Sequence, residues 1–209
     1  MTIRTARVGA VDVPVDHFIG GRWIGSESTF ESRSPLDWDA GPIAEVARGD
    51  EATASAALAA ATEAFPVWGG YTPAERAEVL HHLADLIEAN NDEIALVETM
   101  DMGFMHESMR QRLVARGAIN FRLYADLIVE REERAWDAKG MANVVQHMPA
   151  GPAVVITPWN APFMLATWKL APALAAGNTI IHKPAEWSPL SAALLAALAD
   201  EAGMPPGTW

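Results

Sequence analysis

Two short groups of polar residues have the types and spacing that catalysis needs. The first group directly follows a β-branched run at residues 154–156, and the second follows a β-branched run at residues 179–181. In chain order the members are Thr157, Pro158, Trp159 and Asn160, then Lys183 and Glu186. An asparagine amide can donate to an oxygen that becomes negative, and a carboxylate can accept from both hydroxyls of a ribose. The two groups therefore suit an oxyanion site beside a nucleotide.

The elements that must position these groups alternate between strand and helix. Each β-branched run is followed by an apolar run of helix length, at residues 163–176 and 191–202, and Gly203 can end the second helix. This alternation predicts right-handed crossovers and a parallel sheet, which is an α/β fold. Since ligands bind at the carboxyl ends of parallel strands, we expect both polar groups at one edge of the sheet.

Four motifs in this region occur in a recognisable order. They are PWN at residues 158–160, WK at 168–169, PALAAGN at 172–178 and KPAE at 183–186. Together they resemble the aldehyde dehydrogenase superfamily, and the resemblance extends upstream to FIGGRW at residues 18–23, IAEVARG at 43–49 and the helical residues 76–102. The run NAPFMLATWKLAPALAAGNT is most similar to dehydrogenases of hydroxymuconic semialdehydes, including the carboxymethyl form, which act in aromatic-ring catabolism.

The resemblance implies the N-terminal part of a Rossmann-like cofactor-binding domain. Residues 1–130 then form its helical and strand part, and residues 131–150 form a hairpin that helps to build a homo-oligomer, a dimer or tetramer. Residues 151–209 form the first strand-helix-strand-helix units of the nucleotide-binding sheet. In the family, the nucleophilic cysteine, the general-base glutamate and a second glycine-rich turn come later. We therefore expect a truncated chain, in which Thr208 and Trp209 begin a further strand.

The implied activity is the NAD(P)-dependent oxidation of an aldehyde to a carboxylic acid. In the family, a cysteine thiolate forms a thiohemiacetal and then a thioester, but this chain has no cysteine. The chain alone is therefore expected to be inactive. Two alternatives have no catalytic role. One is a nucleotide-binding or regulatory half-domain, and the other is an interface fragment that associates with a full-length homologue.

Asn160 and Lys169 are the catalytic candidates that the resemblance implies. Asn160 would donate to the oxyanion, and Lys169 would assist a proton relay near the catalytic glutamate. From the residues alone, Asn160 could instead form an Asx turn or cap the helix that begins near Pro162. The Lys169 ammonium is flanked by apolar residues and could equally extend to solvent.

Lys183 and Glu186 are assigned by the resemblance to the cofactor. They would bind the adenosine ribose. Because the Glu186 carboxylate repels a 2′-phosphate, we expect NAD as the cofactor rather than NADP. The alternative for the two residues is a surface ion pair, which contributes little to stability.

Five further residues are assigned to the cofactor cleft and the substrate tunnel. Those at the cofactor are Ile156 and Thr157, through their backbone carbonyls, together with Pro158 and Trp159, whereas Trp168 lines the tunnel. The side chains of the first two could equally belong to the core of the strand. For both tryptophans, buried packing is the alternative.

Composition narrows the class of partner. The formal net charge of −12 and the pI near 4.8 argue against nucleic acid and against an anionic membrane. Asp12 and Asp16 interrupt the N-terminal apolar run, and no run reaches membrane-spanning length, so the composition agrees with a cytoplasmic protein. The small aldehyde partner is implied by the resemblance. No metal site is expected, since thiolates are absent and the adjacent His81 and His82 point in different directions.

Three helices are predicted upstream of residue 131. The first spans residues 52–64 with Asp50 as its cap, and the second opens with Thr72 and Pro73. Helical spacing predicts that the second buries one face, made of Ala77, Leu80, Leu83, Ala84 and Ile87. The third spans residues 107–130 and is amphipathic, with apolar positions that include Leu113, Ile119, Leu123 and Leu127.

Asp101 lies between the second and third of these helices. The resemblance matches it to a position that helps to hold a monovalent cation in some family members. A solvated helix end explains the same residue equally well.

Overall fold

The fold, described from a computed structural model, combines paired strands with packed helices over residues 3–209. The first two residues of the predicted 1–130 segment lie outside the described part of the chain. Ten strands form five pairs within residues 3–209. In chain order they are β1 Thr5–Val8, β2 Val11–Pro14, β3 His17–Ile19, β4 Arg22–Ile24, β5 Thr29–Arg33, β6 Pro42–Ala47, β7 Arg134–Ala138, β8 Met141–Val145, β9 Ala153–Ile156 and β10 Ile180–Lys183.

Seven α-helices connect and cover these strands in the described part of the chain. They are α1 Glu51–Gly70, α2 Pro73–Ala89, α3 Asn91–Met102, α4 His106–Ser108, α5 Ala115–Glu130, α6 Pro162–Ala175 and α7 Leu190–Glu201. A short 3₁₀ turn covers Trp38–Ala40, and a π-helical stretch, Met109–Val114, joins α4 to α5. Within residues 3–209, no helix combines the length and the apolar character that crossing a bilayer requires.

The starts of α1 and α2 follow the predicted capping chemistry. The Asp50 side chain accepts from the Thr53 amide at 2.8 Å, and Thr72 forms a reciprocal capping box with Glu75. However, α1 continues beyond the predicted end at residue 64, through Pro66, to Gly70. The last turn is stabilised by Trp68, which is fully buried and donates from its indole to the Leu174 carbonyl at 3.1 Å. Tertiary packing therefore outweighs the break that proline favours.

Strands β9 and β10 form the predicted parallel pair, with α6 as the crossover between them. Their register places Ile180 opposite Ala153 and Lys183 opposite Ile156. The α/β fold class with a parallel sheet is confirmed. The second strand begins at Ile180 rather than at Thr179, although the Thr179 carbonyl still accepts from the Ala153 amide at 2.8 Å. The Thr179 side chain is buried, and its hydroxyl donates to the Ala61 carbonyl at 2.8 Å.

The upstream strands are hairpins. FIGGRW forms the predicted turn between β3 and β4, and β6 is the strand expected from IAEVARG. The pairs β1–β2 and β5–β6 were not predicted as hairpins. A separate small core lies beneath β1 and β2, where Val8, Val11 and Val13 pack with Val97 of α3.

The main core lies between α2, α5, α6 and the parallel strands. The predicted buried face of α2 is confirmed, since all five of its apolar positions are buried: Ala77, Leu80, Leu83, Ala84 and Ile87. The largest fully buried side chains in the same core include Trp68, Phe121 and Phe163. Contacts in this core fix the position of α6, which begins at Pro162, two residues after Asn160.

The predicted helix over residues 107–130 is confirmed in extent, since helical residues run without a break from His106 to Glu130, but it differs from the prediction in two details. It is divided into α4, the π-helical stretch and α5, and three of its apolar residues are about half exposed: Ile119, Leu123 and Leu127. The buried face of α5 instead includes Gly117, Ala118, Asn120, Phe121 and Ala125. Small residues were not recognised as the contact face, yet they allow α6 to approach closely, and the Asn120 amide donates to the Thr167 hydroxyl at 2.9 Å.

Replacing Gly117 with alanine should lower the free energy of unfolding by about 1–3 kcal/mol, the cost typical of overpacking a core. A Cβ at Gly117 would lie 2.4 Å from Cε1 of Phe163, a ring that is fully buried and cannot move aside. Urea unfolding measures the effect. The matched control is Gly70→Ala in α1, where a Cβ meets no atom within 4 Å. Equal stability of the Gly117 variant and the wild type would contradict this account of the α5–α6 contact.

The hairpin β7–β8 stands out from the core. Every residue of β7 is exposed, and so are the apolar Trp136, Met141 and Val144. Lys139 and Gly140, both with positive φ, make the tight turn between the strands. The predicted hairpin is confirmed. Its part in an oligomer, and the division of the chain at residues 130 and 150, stay predictions.

Candidate functional site

Two loops at the carboxyl ends of the parallel strands lie side by side. The first loop (residues 157–161) follows β9, and the second loop (residues 184–189) follows β10. The Thr157 amide donates to the Lys183 carbonyl at 3.2 Å, and the Ser188 hydroxyl donates to the Trp159 carbonyl at 3.3 Å. The two predicted groups of polar residues therefore meet at one edge of the sheet.

Asn160 lies at the exposed end of the first loop, next to Pro158 and Trp159, which are also exposed. The residue that caps α6 is Ala161, and no side chain of the first loop bonds to the start of this helix. The helix-cap alternative for Asn160 is therefore wrong. An exposed amide at this place is open to a ligand. The oxyanion role stays a prediction.

Lys169 is held against the end of β9. It lies in α6, and its Nζ donates to the Ile156 carbonyl at 3.0 Å. The ammonium therefore folds back to the sheet edge rather than extending only into solvent. This contact places the positive charge of Lys169 at Ile156, the residue directly before the first loop. Its proposed part in a proton relay is untested.

Exposure decides among the alternatives for the neighbouring side chains. Ile156 is 63% exposed, so its side chain is not strand core, whereas Thr157 is buried as a core residue would be. Trp159 and Trp168 are 59% and 48% exposed, so the buried-packing alternative is wrong for both. Large exposed aromatic faces of this kind can bind ligands or other polypeptide surfaces.

His182 is a polar residue at this edge that sequence reasoning missed. Its Nε2 lies 3.0 Å from the hydroxyl of Thr157, and its ring meets Trp209 edge-on at 6.0 Å. Burial lowers the pKa of His182 to about 4, so the imidazole is neutral at pH 7. The signal for this residue is a histidine within an otherwise β-branched strand, IIHK.

Lys183 and Glu186 form an ion pair at the edge of the second loop. The hydrogen bond from Lys183 is the main cause that lowers the pKa of Glu186, and the nearby Arg48 adds to it. The carboxylate is thus ionised at neutral pH. Both side chains are at least half exposed, and such pairs contribute little to folding. They line a cavity of about 450 Å³ that the β3–β4 hairpin, α1 and α7 also border.

Glu98 and Asp101 of α3 are buried, with 0% and 1% of their surface exposed, so a solvated helix end is the wrong explanation for Asp101. Asp101 accepts from the Ser32 hydroxyl at 2.6 Å and from the Leu190 amide at 2.8 Å. Glu98 accepts from the Phe163 amide at 3.3 Å. Their helical spacing from the buried Ile94 could have revealed that both lie on the buried face of α3.

Burial raises the pKa of both carboxyl groups, to about 8 for Glu98 and to about 7 for Asp101. The Ser191 hydroxyl and the Phe163 amide oppose the rise at Glu98, while the neighbouring Asp101 adds to it. At Asp101 the opposing groups are the Ser32 hydroxyl and the Leu190 amide. Burial, rather than a basic side chain, thus accounts for the pKa shifts of both carboxyls.

Metal-ligand clusters are absent from the part of the chain that the structure describes, since no three His, Asp or Glu side chains group together there. The two adjacent histidines have separate partners. His81 pairs with Asp126 at 2.9 Å, and the ring of His82 lies 3.3 Å from the Ala202 carbonyl.

Comparisons with known proteins agree with this architecture. The 2-hydroxymuconic semialdehyde dehydrogenase of Pseudomonas sp. (strain CF600) is 39% identical over 203 residues, which cover 93% of this chain and 41% of that protein. The NADP/NAD-dependent aldehyde dehydrogenase PuuC of Escherichia coli (strain K12) is 42% identical over 197 residues, covering 91% of this chain and 39% of the relative. The resemblance to hydroxymuconic semialdehyde dehydrogenases is thus confirmed.

A solved structure of similar fold is the indole-3-acetaldehyde dehydrogenase AldA of P. syringae, in complex with NAD⁺ and IAA. Its TM-score is 0.92 at 34% sequence identity, and the match covers 97% of this chain and 41% of that one. The chain thus spans about two fifths of the length of the relatives that it matches. The profile described as "Aldehyde dehydrogenase family" matches residues 23–209. The chain belongs to the aldehyde dehydrogenase family.

Proposed function

We propose that this chain supplies the oxyanion donor and part of the cofactor site of an NAD-dependent aldehyde dehydrogenase. The observation that carries the proposal is the meeting of the two loops at the sheet edge. There, the exposed Asn160 and the Lys183–Glu186 pair lie on neighbouring loops, which the Ser188–Trp159 hydrogen bond joins. An oxyanion donor and a ribose acceptor side by side suit a reaction between a carbonyl compound and a nucleotide.

Asn160 would act when a thiolate adds to the aldehyde carbon. The carbonyl oxygen then becomes negative, and the Asn160 amide donates to it from a fixed position. Since the chain has no cysteine, a thiolate must come from polypeptide outside these 209 residues. Lys169, held at the end of β9, would assist proton transfer in the later hydrolysis. The product would be a carboxylic acid.

NAD, when bound, supplies the hydride acceptor for the oxidation. The ionised and half-exposed Glu186 carboxylate fits such a ligand, because it can accept from both ribose hydroxyls while Lys183 keeps it oriented. The carbonyls of Ile156 and Thr157, with Pro158 and Trp159, would border the adenosine. The complex of AldA with NAD⁺ supports this choice, and the name of PuuC indicates that a relative also uses NADP.

The substrate would be a small aldehyde that arises when an aromatic ring is opened. This proposal rests on the relative from Pseudomonas sp. (strain CF600), which is named for a hydroxymuconic semialdehyde. The half-exposed Trp168 would face this substrate.

The exposed apolar residues of β7–β8 would form a contact between subunits, and they also favour the second candidate function, a non-catalytic interface chain.

NAD should bind more tightly than NADP, by roughly ten- to a hundredfold, and Glu186→Gln should reduce that ratio. An unpaired hydroxyl or a repelled phosphate costs on the order of 1–3 kcal/mol, which sets the size of the preference. Isothermal titration of the chain with each nucleotide measures it. The loss should fall mainly on NAD, because Lys183 can still attract the phosphate.

The matched control for this measurement is Glu201→Gln, an exposed glutamate at the far end of α7, which should leave both affinities unchanged. Equal binding of NAD and NADP by the wild type would contradict the proposed role of Glu186. So would a ratio that the Glu186 variant does not change.

A further inference from the structure

Two buried carboxyl groups of α3 bond to the first turns of two other helices. The first amides of a helix have no partner within it and need an acceptor. In α6 the capping residue is Ala161, and in α7 it is Pro189, and neither provides a side-chain cap. Glu98 accepts from the Phe163 amide of α6, and Asp101 accepts from the Leu190 amide of α7. Helix α3 thus caps both helices from a distance.

These bonds lie directly behind the two loops of the candidate site. Phe163 is three residues after Asn160, and Leu190 is four residues after Glu186. One end of the first loop is fixed by the β9–β10 ladder, and the other end is fixed by the hydrogen bond that the Phe163 amide donates to Glu98. Since Glu98 and Asp101 are three residues apart on one face of a rigid helix, they also set the spacing of the two helix starts.

We propose that Glu98 is a positioning residue for Asn160. Glu98 is fully buried and does not face the site, so it acts through the Phe163 amide. By holding the start of α6, it fixes the point from which the Asn160 amide donates, and it also orders the cofactor residues of the same loop. This role rests on the proposed function of Asn160. Asp101 has the equivalent role for the second loop.

Stability alone does not explain a glutamate at this place. A buried carboxyl loses its hydration, and at Glu98 the Phe163 amide and the Ser191 hydroxyl oppose the resulting rise in pKa without reversing it. Buried ion pairs can often be replaced by apolar side chains of similar volume without loss of stability, and an apolar residue at position 98 would likewise avoid the cost of dehydrating a carboxyl. What such a side chain cannot provide is an acceptor for the Phe163 amide. The acceptor is therefore the property to test.

The experiment compares the full 209-residue wild-type chain with Glu98→Leu and Glu98→Gln. Both variants lack an ionisable group and have similar volumes, but only glutamine keeps an oxygen that can accept from Phe163. Hydrogen exchange of the amides of Ala161 and of residues 163–165 reports on the start of α6. Titration with NAD reports on the loop. Urea unfolding reports on global stability.

We expect Glu98→Leu to speed exchange at Phe163 by about tenfold and to weaken NAD binding by about three- to tenfold, the scale of one lost hydrogen bond. Its urea midpoint should stay close to that of the wild type. Glu98→Gln should restore both exchange and affinity. As a spatial control, Asp101→Leu should speed exchange at Leu190 and leave Phe163 protected.

Unchanged exchange at Phe163 in Glu98→Leu would overturn the proposal, and so would a glutamine variant that behaves like the leucine variant. If the wild type binds no NAD, the proposed function fails, and exchange at Phe163 still decides the positioning role. If Glu98→Leu does not fold, Glu98→Met fills the same space with a more adaptable side chain and takes its place.

Discussion

Asn160→Ala should lower kcat for aldehyde oxidation by roughly a hundredfold or more, the effect of removing one oxyanion-hole donor. The Asn160 amide is exposed at the end of the first loop and does not cap α6, so its removal should leave the fold intact. Because the amide acts on charge that develops during the reaction, KM should change much less than kcat.

The measurement needs a thiolate, which this chain lacks. A suitable protein joins residues 1–209 to the part of the 2-hydroxymuconic semialdehyde dehydrogenase that follows the matched region, and NADH formation reports the rate. Asn160→Asp serves as a control of the same shape that cannot donate, and it should be at least as impaired as the alanine variant. The isolated chain should form no NADH.

An active fusion protein whose kcat is unaffected by Asn160→Ala would remove Asn160 from the mechanism. Aldehyde-dependent NADH formation by the isolated chain would contradict the need for an external cysteine. These two outcomes test separate parts of the proposed function.

The stability of the chain should be greatest in mild acid and should fall as the pH rises from about 5 to about 8. The folded-state pKa of Glu98 is raised to about 8 and that of Asp101 to about 7, far above the ordinary values of 4.5 and 3.8. The folded state therefore binds protons that the unfolded chain has already released. The stabilisation is complete below the unfolded pKa values and is lost as the pH passes through the folded ones.

The expected loss over this range is on the order of a few kcal/mol, since each unit of pKa shift corresponds to about 1.4 kcal/mol. The carboxyl of Glu98 is near that of Asp101, the Ser191 hydroxyl and the Phe163 amide. The carboxyl of Asp101 is near the Ser32 hydroxyl and the Leu190 amide. Both pKa shifts come mainly from burial. The buried His182 offsets part of this loss up to about pH 6.5, its ordinary pKa, because its lowered pKa means that the unfolded chain binds a proton that the folded state does not. Exposed acids with lowered pKa values, such as Glu75 and Glu186, also act in the opposite direction, but only at lower pH.

Urea unfolding at a series of pH values measures this dependence. Glu98→Gln should flatten part of the slope, whereas Glu201→Gln, at an exposed position, should not change it. A free energy of unfolding that is constant or rises between pH 5 and pH 8 would show that the buried carboxyls do not carry raised pKa values.

Local sequence patterns predicted the strand ends of the site and the helix starts that have their own caps. The polar groups at Asn160 and Glu186 follow β-branched runs, and the parallel pairing of β9 and β10 brings their loops together as expected. The cap at Thr72 and the proline after it were likewise recognised from adjacent residues. Such features depend on neighbours in sequence, so composition and spacing were sufficient to find them.

The features that sequence reasoning missed depend on contacts between distant segments. The buried face of α5 combines Phe121 with small residues such as Gly117, which Phe163 approaches closely, whereas Ile119, Leu123 and Leu127 are about half exposed. The bond from Lys169 to Ile156 and the burial of Glu98 also depend on tertiary packing. A carboxyl group in a helix is usually exposed to solvent, and the spacing of Glu98 from the buried Ile94 indicates only the face on which it lies, whereas its bond to the Phe163 amide is seen only in the assembled fold.

The hydrogen bonds that the carboxyls of α3 accept from α6 and α7 limit the division of this chain into independent modules. Residues 151–209 include all the candidate site residues, from Ile156 to Glu186, and look like a self-contained nucleotide-binding unit. Yet the anchors of their two loops lie 65 and 89 residues earlier in the chain. Transplanting the later segment alone would transfer the chemical groups without the framework that orients them. A segment that contains both the candidate site residues and the groups that anchor their loops therefore begins no later than α3.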